Sequence, residues 1–569
     1  MLLKKIFTFL FDGFAIWRKI KDHSTLMKRL RARLVFSVVC CVSVFTGISY
    51  RLADIMVFSK FRTCKSLKFE QEKVVRKADV VDRNGELLAT SIATMSCYAD
   101  PSAVIDVDDA ANKLAKIPGM PVPEKIKQKL TDKKKHFVWL LRHVAPKNQE
   151  HVMDLGVPGI HFQKDYKRIY IHGNLFSHIV GCSDIDGVGV CGLEKSFSDK
   201  LMKAGKSQRK RLATTLDVRL QAILHECLKD SVEKFKAAGG NGILMSTNGE
   251  ILAIVSLPDF DPNNLRNSEM AAMFNRNTLG VFEQGSILKI LNVAIALDSG
   301  SAGLGSVFDA SEPIRIGRFR VSDFRGKRRP LTLAEAFVFS SNIASAKIAQ
   351  NFGGAVQRAY MKKFGMFDMV HLEIPEIGKP IVPKNWSDAT TMTVAYGYGL
   401  AISPLQLLTS VSSIVNDGIK VSPTLIYGKK QKLEDCVRLI SPKTSKAVRD
   451  LMRAVVCHGT ARKSAIEGAD IFGKTGTAYK VQGKGYGSEG GRKRITTFIG
   501  GFPKNKPEYM LLISLDDPKA IEETHGFATA GNNVAPTAKN IFQRIIPMLY
   551  NGEKPDDSNL HVLKYIRIN

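Results

Sequence analysis

Ser286 and Lys289 stand three residues apart in Phe282–Leu297, FEQGSILKILNVAIAL, a stretch that otherwise reads as an apolar helix with almost no polar face. A serine hydroxyl is a poor nucleophile, and a lysine amine with an unperturbed pKa of about 10.4 is protonated near neutrality. A dry site changes both. Burial disfavours the ammonium, and a neutral amine on the same helix face can accept the hydroxyl proton. Ser286 also falls in the first turn, where free backbone NH groups and the positive end of the helix dipole can stabilise an oxyanion, by ~2.7 to 4 kcal/mol per donor. The chemistry these residues could do is acyl transfer through a serine ester. Spacing alone does not single them out. Ser207 to Lys210 and Ser231 to Lys234 repeat it, the first in a basic connector and the second on a charged helix face, and both read as solvated. For Ser286 and Lys289 the competing reading is an N-cap serine beside a lysine reaching out to water. Two further groups bear on that choice. Ser340-Ser341-Asn342 follows Ser286 by 54 positions (340 − 286), and Lys474-Thr475-Gly476-Thr477 by 188 (474 − 286). Separately each is uninformative, since Ser246 to Asn248 repeats S-x-N and a lysine before Thr-Gly can simply end a strand.

The elements that must position these residues are legible from pattern. "VVDRNGELLA", Val80 to Ala89, reads as two short strands around an Asn-Gly turn. Helical and mixed stretches run from there to about residue 200. "GILMS" and "EILAIVS" flank Thr247-Asn248-Gly249 as a second hairpin, and these apolar runs read as central strands of a sheet covered by helices. "ITTFIGGFP" and "YMLLISLDDP" add two strands, and a helix follows near Ala535 to Leu549. Between the halves, Lys203 to Arg211 is a basic connector, and Thr214 to Gln221 opens an amphipathic helix near Asp217. The main domain boundary is placed there.

At 569 residues, 44% hydrophobic and 24% charged, the chain is long enough for several globular domains. A formal net charge of +29 invites a nucleic-acid reading, but the Lys and Arg are scattered, and an N-terminal anchor puts most of them outside the cytoplasm. Leu34 to Tyr50 carries no charge over 17 residues, about 25 Å of helix. Arg33 and Arg51 flank it, and the basic lead before it predicts a cytoplasmic N-terminus by the positive-inside rule. Met1 to Trp17 either lies along the inner membrane face or is solvated. The nine Cys give no obvious disulfide framework, and Cys40 and Cys41 lie in the span. Cys182 and Cys191, bracketing SDIDGVGV, either pair in an oxidising compartment or are small buried thiols. No C-x-x-C or H-E-x-x-H occurs, so a zinc site has no support.

Taken together and in this order, S-x-x-K, S-x-N and K-T-G match the motif set of penicillin-binding proteins and class A β-lactamases. "DRNGELLA", "VPGIHFQKDYKRIY", "GLEKSF", "TTLDVRLQ", "GEILAIVSLPDFDPNN", "VFEQGSILK" and "AYGYGLAISPLQL" extend the likeness over nearly the whole exported chain. The chain resembles class B penicillin-binding proteins, most closely the division-specific FtsI type, toward which "GKTGTAYKV" leans. Departures are Lys77-Ala78 where the family usually has Arg-Gly, and Gln284 and Ile290 where it has Pro. The resemblance implies an α/β multidomain chain with a single N-terminal transmembrane helix, an elongated α+β N-terminal module and a C-terminal transpeptidase domain whose antiparallel sheet is flanked by helices. The expected segments are a cytoplasmic basic segment 1–33, an anchor 34–52, a non-catalytic pedestal or dimerisation-like module 53–211, a transpeptidase domain 212–552 and a tail 553–569.

Carried over residue by residue, the resemblance makes Ser286 the nucleophile on the penultimate D-alanine carbonyl of a peptidoglycan stem peptide and Lys289 its general base. Ser340 relays a proton to the departing D-alanine, Asn342 holds Lys289 and the substrate amide, and Lys474 helps Lys289 to lose its proton. Thr475 and Thr477 bind the terminal carboxylate, Gly476 leaves room for the peptide, and the NH groups of Ser286 and Thr477 form the oxyanion hole. No cofactor is implied, β-lactams are expected as covalent inhibitors, and glycan synthesis falls to another protein, a SEDS-type glycosyltransferase among the other divisome membrane proteins. The expected location is the bacterial inner membrane, single-pass, with the catalytic domain periplasmic. A β-lactamase must bring water to its acyl-enzyme, and no E-x-x-L-N segment is present to do so. Septal D,D-transpeptidation is therefore preferred, with an elongation-type transpeptidase, a D,D-carboxypeptidase or a β-lactam sensor or scaffold as alternatives.

Overall fold

The structure, a computed structural model, describes residues 25–53, 76–205, 211–316, 319–429, 437–481, 485–486, 492–549 and 561–567. Most of the basic N-terminal segment, including Met1 to Trp17, the middle of the 203–211 connector and most of the 553–569 tail lie outside these residues. Thr25–Ala53 forms one helix, within which Arg31–Leu52 is long and apolar enough to cross a bilayer. Its hydroxyls turn inward on the helix, Ser43 Oγ donating to Val39 O (2.8 Å) and Thr46 Oγ1 to Val42 O (2.6 Å), so neither adds an unpaired polar group to the span.

The remainder, from Val75 on, is a separate compact unit. Its first sheet is built on the long strand Leu87–Ala99, which pairs antiparallel with Ile160–Tyr170 along one edge and with Val80–Val81 and Val138–Val144 along the other. Leu212–Ala213 adds a parallel strand beside Val80–Val81. The far end of this sheet buries Cys97, Ala99, Leu140 and Val144 under the helices Val107–Leu114, Pro123–Thr131 and Pro146–Asp154, forming a small core of its own. The near end, through Val80, Leu88 and Ala89, joins the main core.

The second sheet is antiparallel throughout, in the order Phe472–Tyr479, Arg494–Phe502, Tyr509–Asp516, Gly239–Ser246, Ile251–Leu257. Nearly every residue of its strands is buried, as continuous apolar runs require when both faces are covered. Val218–Lys234, capped by the Asp217 carboxylate on Arg219 NH (3.0 Å), and Val534–Leu549 cover one face, while Pro404–Val415 and Pro442–His458 lie against the other. Both predicted hairpins form: the first has a three-residue turn rather than the two expected at Asn-Gly, Asp82 NH reaching Glu86 O, and the second closes over Thr247-Asn248-Gly249 with Ser246 NH reaching Glu250 O, Gly85 and Gly249 both at positive φ. Phe472–Tyr479, carrying Lys474 to Thr477, is an edge strand. That edge positions the site.

Candidate active site

The turn Gly285–Leu288 is a 3₁₀ turn that passes into the α-helix Lys289–Asp298, so Ser286 lies just ahead of the helix rather than in its first α turn. With three residues per turn, i and i+3 eclipse, which stacks Ser286 and Lys289 on one side. Ser286 is half-buried. Lys289 is fully buried, which removes the reading of a lysine snorkelling to water. Its Nζ donates to Ser340 O (2.6 Å), Ser340 Oγ (3.2 Å) and Asn342 Oδ1 (2.7 Å), using all three ammonium donors. Among the described residues no hydrogen bond joins Lys289 to Ser286, and the Ser286 hydroxyl makes none of its own.

Lys474 is also fully buried, and its Nζ donates to Ser340 Oγ (3.1 Å) and Thr475 O (3.0 Å), with the Phe337 ring 5.9 Å away. The three motifs thus meet on one hydroxyl, that of Ser340. Burial holds Lys289 well below the usual lysine range, reinforced by the charge of Lys474 and opposed by Asp323. Burial likewise brings Lys474 down to about 7. Ser340 itself sits in the left-handed region, at φ 59°, a conformation that costs a non-glycine residue on the order of 1–3 kcal/mol and aims both its carbonyl and its hydroxyl at the lysines.

Sequence reasoning missed the group that holds this turn. Asp323 accepts from Ser341 Oγ (2.6 Å), Asn342 NH (2.5 Å) and Ile343 NH (3.0 Å), capping the helix Asn342–Lys363 with a charge at its positive end. Nothing in the neighbourhood of Asp323 in the chain announces it. Ser341 adds its own cap on Ala344 NH (3.0 Å).

The edge strand presents alternate backbone groups outward. Tyr479 NH donates to Tyr398 OH (3.2 Å) rather than to the neighbouring strand, and Thr475 O accepts from Lys474 Nζ, so by the antiparallel alternation Thr477 also turns its NH and C=O away from the sheet. Gly285, at φ 53°, lies so close that a Cβ there would sit 2.5 Å from Thr477 O. The Thr477 NH therefore flanks the Ser286 turn, as an oxyanion hole needs. Gly476 leaves room for the Ser286 turn, since a Cβ there would lie 2.7 Å from Ile287 Cγ1 and 2.9 Å from Gln284 O.

Thr475 and Thr477 face the other side of the strand. Thr475 is buried, its hydroxyl 2.5 Å from that of the exposed Thr460, while Thr477 is half-buried and its hydroxyl accepts from Ala530 NH (3.2 Å). Only Thr477 of the two meets the surface; Thr460 was not foreseen. The rival S-x-x-K pairs fare as follows. Ser207 lies outside the described residues, and Ser231, expected to be solvated, is buried with its hydroxyl 2.7 Å from that of Thr537, because the helix Val218–Lys234 turns that face toward Val534–Leu549. The family departures are accommodated locally. Lys77 pairs with buried Glu194 (2.8 Å), and Gln284 Nε2 donates to Phe282 O and Ile402 O.

A serine at the head of a buried helix, two buried lysines with depressed proton affinity and an antiparallel edge strand alongside define a serine acyltransferase fold. The Penicillin binding protein transpeptidase domain matches residues 240–543 and the Penicillin-binding Protein dimerisation domain matches 73–215. The chain belongs to the penicillin-binding protein transpeptidase family. It is 32% identical over 521 residues to the probable peptidoglycan D,D-transpeptidase FtsI of Caulobacter vibrioides, covering 89% of this chain and 86% of that one. It is 30% identical over 547 residues to the peptidoglycan D,D-transpeptidase FtsI of Escherichia coli, covering 88% and 90%. Penicillin binding protein 3 of Mycobacterium tuberculosis, solved with aztreonam, shares the fold at a TM-score of 0.65 and 22% identity, covering 84% of this chain and 98% of that one.

Proposed function

We infer that this chain is a peptidoglycan D,D-transpeptidase that cross-links stem peptides through an ester on Ser286. The observation that carries the reading is the meeting of Lys289 and Lys474 on the Ser340 hydroxyl, with Asn342 Oδ1 holding Lys289, one 3₁₀ turn along the chain from Ser286. The neutral Lys289 amine takes the Ser286 proton as the hydroxyl attacks the penultimate D-alanine carbonyl, and the NH groups of Ser286 and Thr477 hold the developing oxyanion. Ser340, bonded to both lysines, returns the proton to the departing D-alanine. Asn342 keeps Lys289 in place. An amine of a neighbouring stem peptide then attacks the ester, closing the cross-link and freeing Ser286. Thr477 takes the terminal carboxylate under the positive potential of Lys474, with Thr475 behind it through Thr460. β-Lactams occupy the same place and stay as esters.

The FtsI names of the relatives support a septal role, with a SEDS-type glycosyltransferase and other divisome membrane proteins as partners. The apolar helix and its basic flank support a single-pass inner-membrane anchor with a cytoplasmic N-terminus and a periplasmic catalytic domain, and the boundary between the N-terminal module and the transpeptidase domain is proposed near residue 211. Purified protein supplied with lipid-linked glycan strands should cross-link them, and Ser286→Ala should not. Acylation by penicillin without cross-linking would make the protein a sensor or scaffold. Filaments on depletion support the septal role; rounded cells would move it to elongation.

A further inference from the structure

Cys182 and Cys191 are direct cross-strand partners in a short hairpin, Cys182–Ser183 against Gly189–Cys191, with their Sγ atoms 3.2 Å apart. Opposed residues of an antiparallel pair have Cα atoms about 4.5–5.5 Å apart, inside the range a disulfide spans. The strands meet this closely because Gly181, at φ 80°, has no Cβ; one there would lie 2.0 Å from Cys191 O. Closing the bond needs the sulfurs to approach by about 1 Å, toward the ~2.05 Å of a disulfide, which small side-chain rotations supply. Cys182 is fully buried and Cys191 is half-buried.

We propose that Cys182 and Cys191 form a disulfide in the mature protein, which rests on the export of the catalytic domain proposed above. Cys191, the less buried of the two, attacks as its thiolate an external disulfide, either a protein of the thiol-disulfide oxidoreductase class or a small-molecule disulfide. That breaks the external S–S bond and releases one thiol, which takes up the Cys191 proton. The Cys182 thiolate then attacks Cys191 Sγ and releases the second thiol, which takes up the Cys182 proton. Two protein thiols are oxidised and one external disulfide is reduced.

The bond closes a hairpin that ties two regions together. On one side Asp186 and Ile185 O accept from Arg142 of the first sheet (2.7 and 3.4 Å). On the other, Gly192 NH, next to Cys191, donates to the Glu376 carboxylate (3.3 and 3.2 Å), whose backbone carbonyl accepts from Thr278 Oγ1 (2.6 Å). Ser183 joins Lys77 and Glu194 in the buried cluster between them. The cross-link therefore fixes a clasp between the N-terminal module and the penicillin-binding part.

The test is thiol mapping on the full-length chain, quenched in acid and alkylated before and after reduction. In cells carrying a C-terminal reporter active only when exported, the peptide spanning both cysteines should be two hydrogens lighter than the dithiol and take label only after reduction. Both cysteines labelled without reduction while the reporter is active would overturn the proposal. An inactive reporter would instead refute export, and the decision then passes to the detergent-purified chain incubated with oxidised glutathione: closure of the pair supports the inference, and free thiols at both positions refute it. Cys191→Ser should leave a glutathione adduct or free thiol at Cys182 and no intramolecular link.

Discussion

Replacing Lys474 by Met removes a positive charge from beside Lys289 while keeping an unbranched side chain of similar length. Both lysine Nζ atoms lie within hydrogen-bond reach of Ser340 Oγ, so they are at most 3.2 + 3.1 = 6.3 Å apart. Two unit charges about 6 Å apart at an effective dielectric of about 20 repel by roughly 3 kcal/mol, on the order of a hundredfold in the affinity of Lys289 for its proton. The sign follows from the charge. Lys474 disfavours protonated Lys289, so in the wild type the amine stays neutral to lower pH. Because burial brings Lys474 itself to about 7, the repulsion acts below neutrality and fades above it. In Lys474→Met the acid limb of acylation should therefore move to higher pH, and at a fixed pH on that limb the rate should fall by up to about a hundredfold. Below about pH 7, where wild-type Lys474 is charged, the separate loss of carboxylate attraction lowers the amplitude without moving the acid limb. The assay is the second-order acylation constant of a fluorescent penicillin, measured across pH on the full-length protein. An acid limb that stays where it is, whatever the amplitude, would refute the coupling between the two lysines.

Asp323→Asn should move the same limb in the opposite direction, because the lost carboxylate no longer favours protonated Lys289, while the maximal rate drops as the Ser340 turn loosens; a limb shifted to higher pH would contradict this. Gly476→Ala drives a methyl group into Ile287 and Gln284 O, an overpacking cost of about 1–3 kcal/mol, and should lower both the unfolding midpoint and the acylation rate; wild-type kinetics would mean the Ser286 turn yields easily. Lys289→Ala should retain the unfolding midpoint to within a few degrees yet take no penicillin label, since the change removes the base without exposing the helix; normal labelling would place the base elsewhere.

The strands and helices were legible because their apolar runs and turn residues repeat with the right period, and the three motifs that meet at Ser340 were legible because they are short and local. What the sequence hid is what packs against them from afar. Asp323 reaches the Ser340 turn across a loop, Thr460 meets Thr475 from the end of the helix Pro442–His458, and Tyr398 caps the edge strand past Thr477. None has a spacing that marks it. Ser231 misled for the opposite reason: charged neighbours in sequence suggested solvent, although its own side of the helix faces Val534–Leu549. That Ile287 and Gln284 O are what a Cβ at Gly476 would meet is likewise a matter of packing that no strand pattern names.

Intact-mass measurement after benzylpenicillin treatment bears most directly on the chemistry. The wild-type chain should gain the mass of a single inhibitor molecule, mapped to the peptide containing Ser286, and Ser286→Ala should gain nothing. An adduct on any other residue, or label retained by Ser286→Ala, would contradict the assignment of Ser286 as the acylated nucleophile.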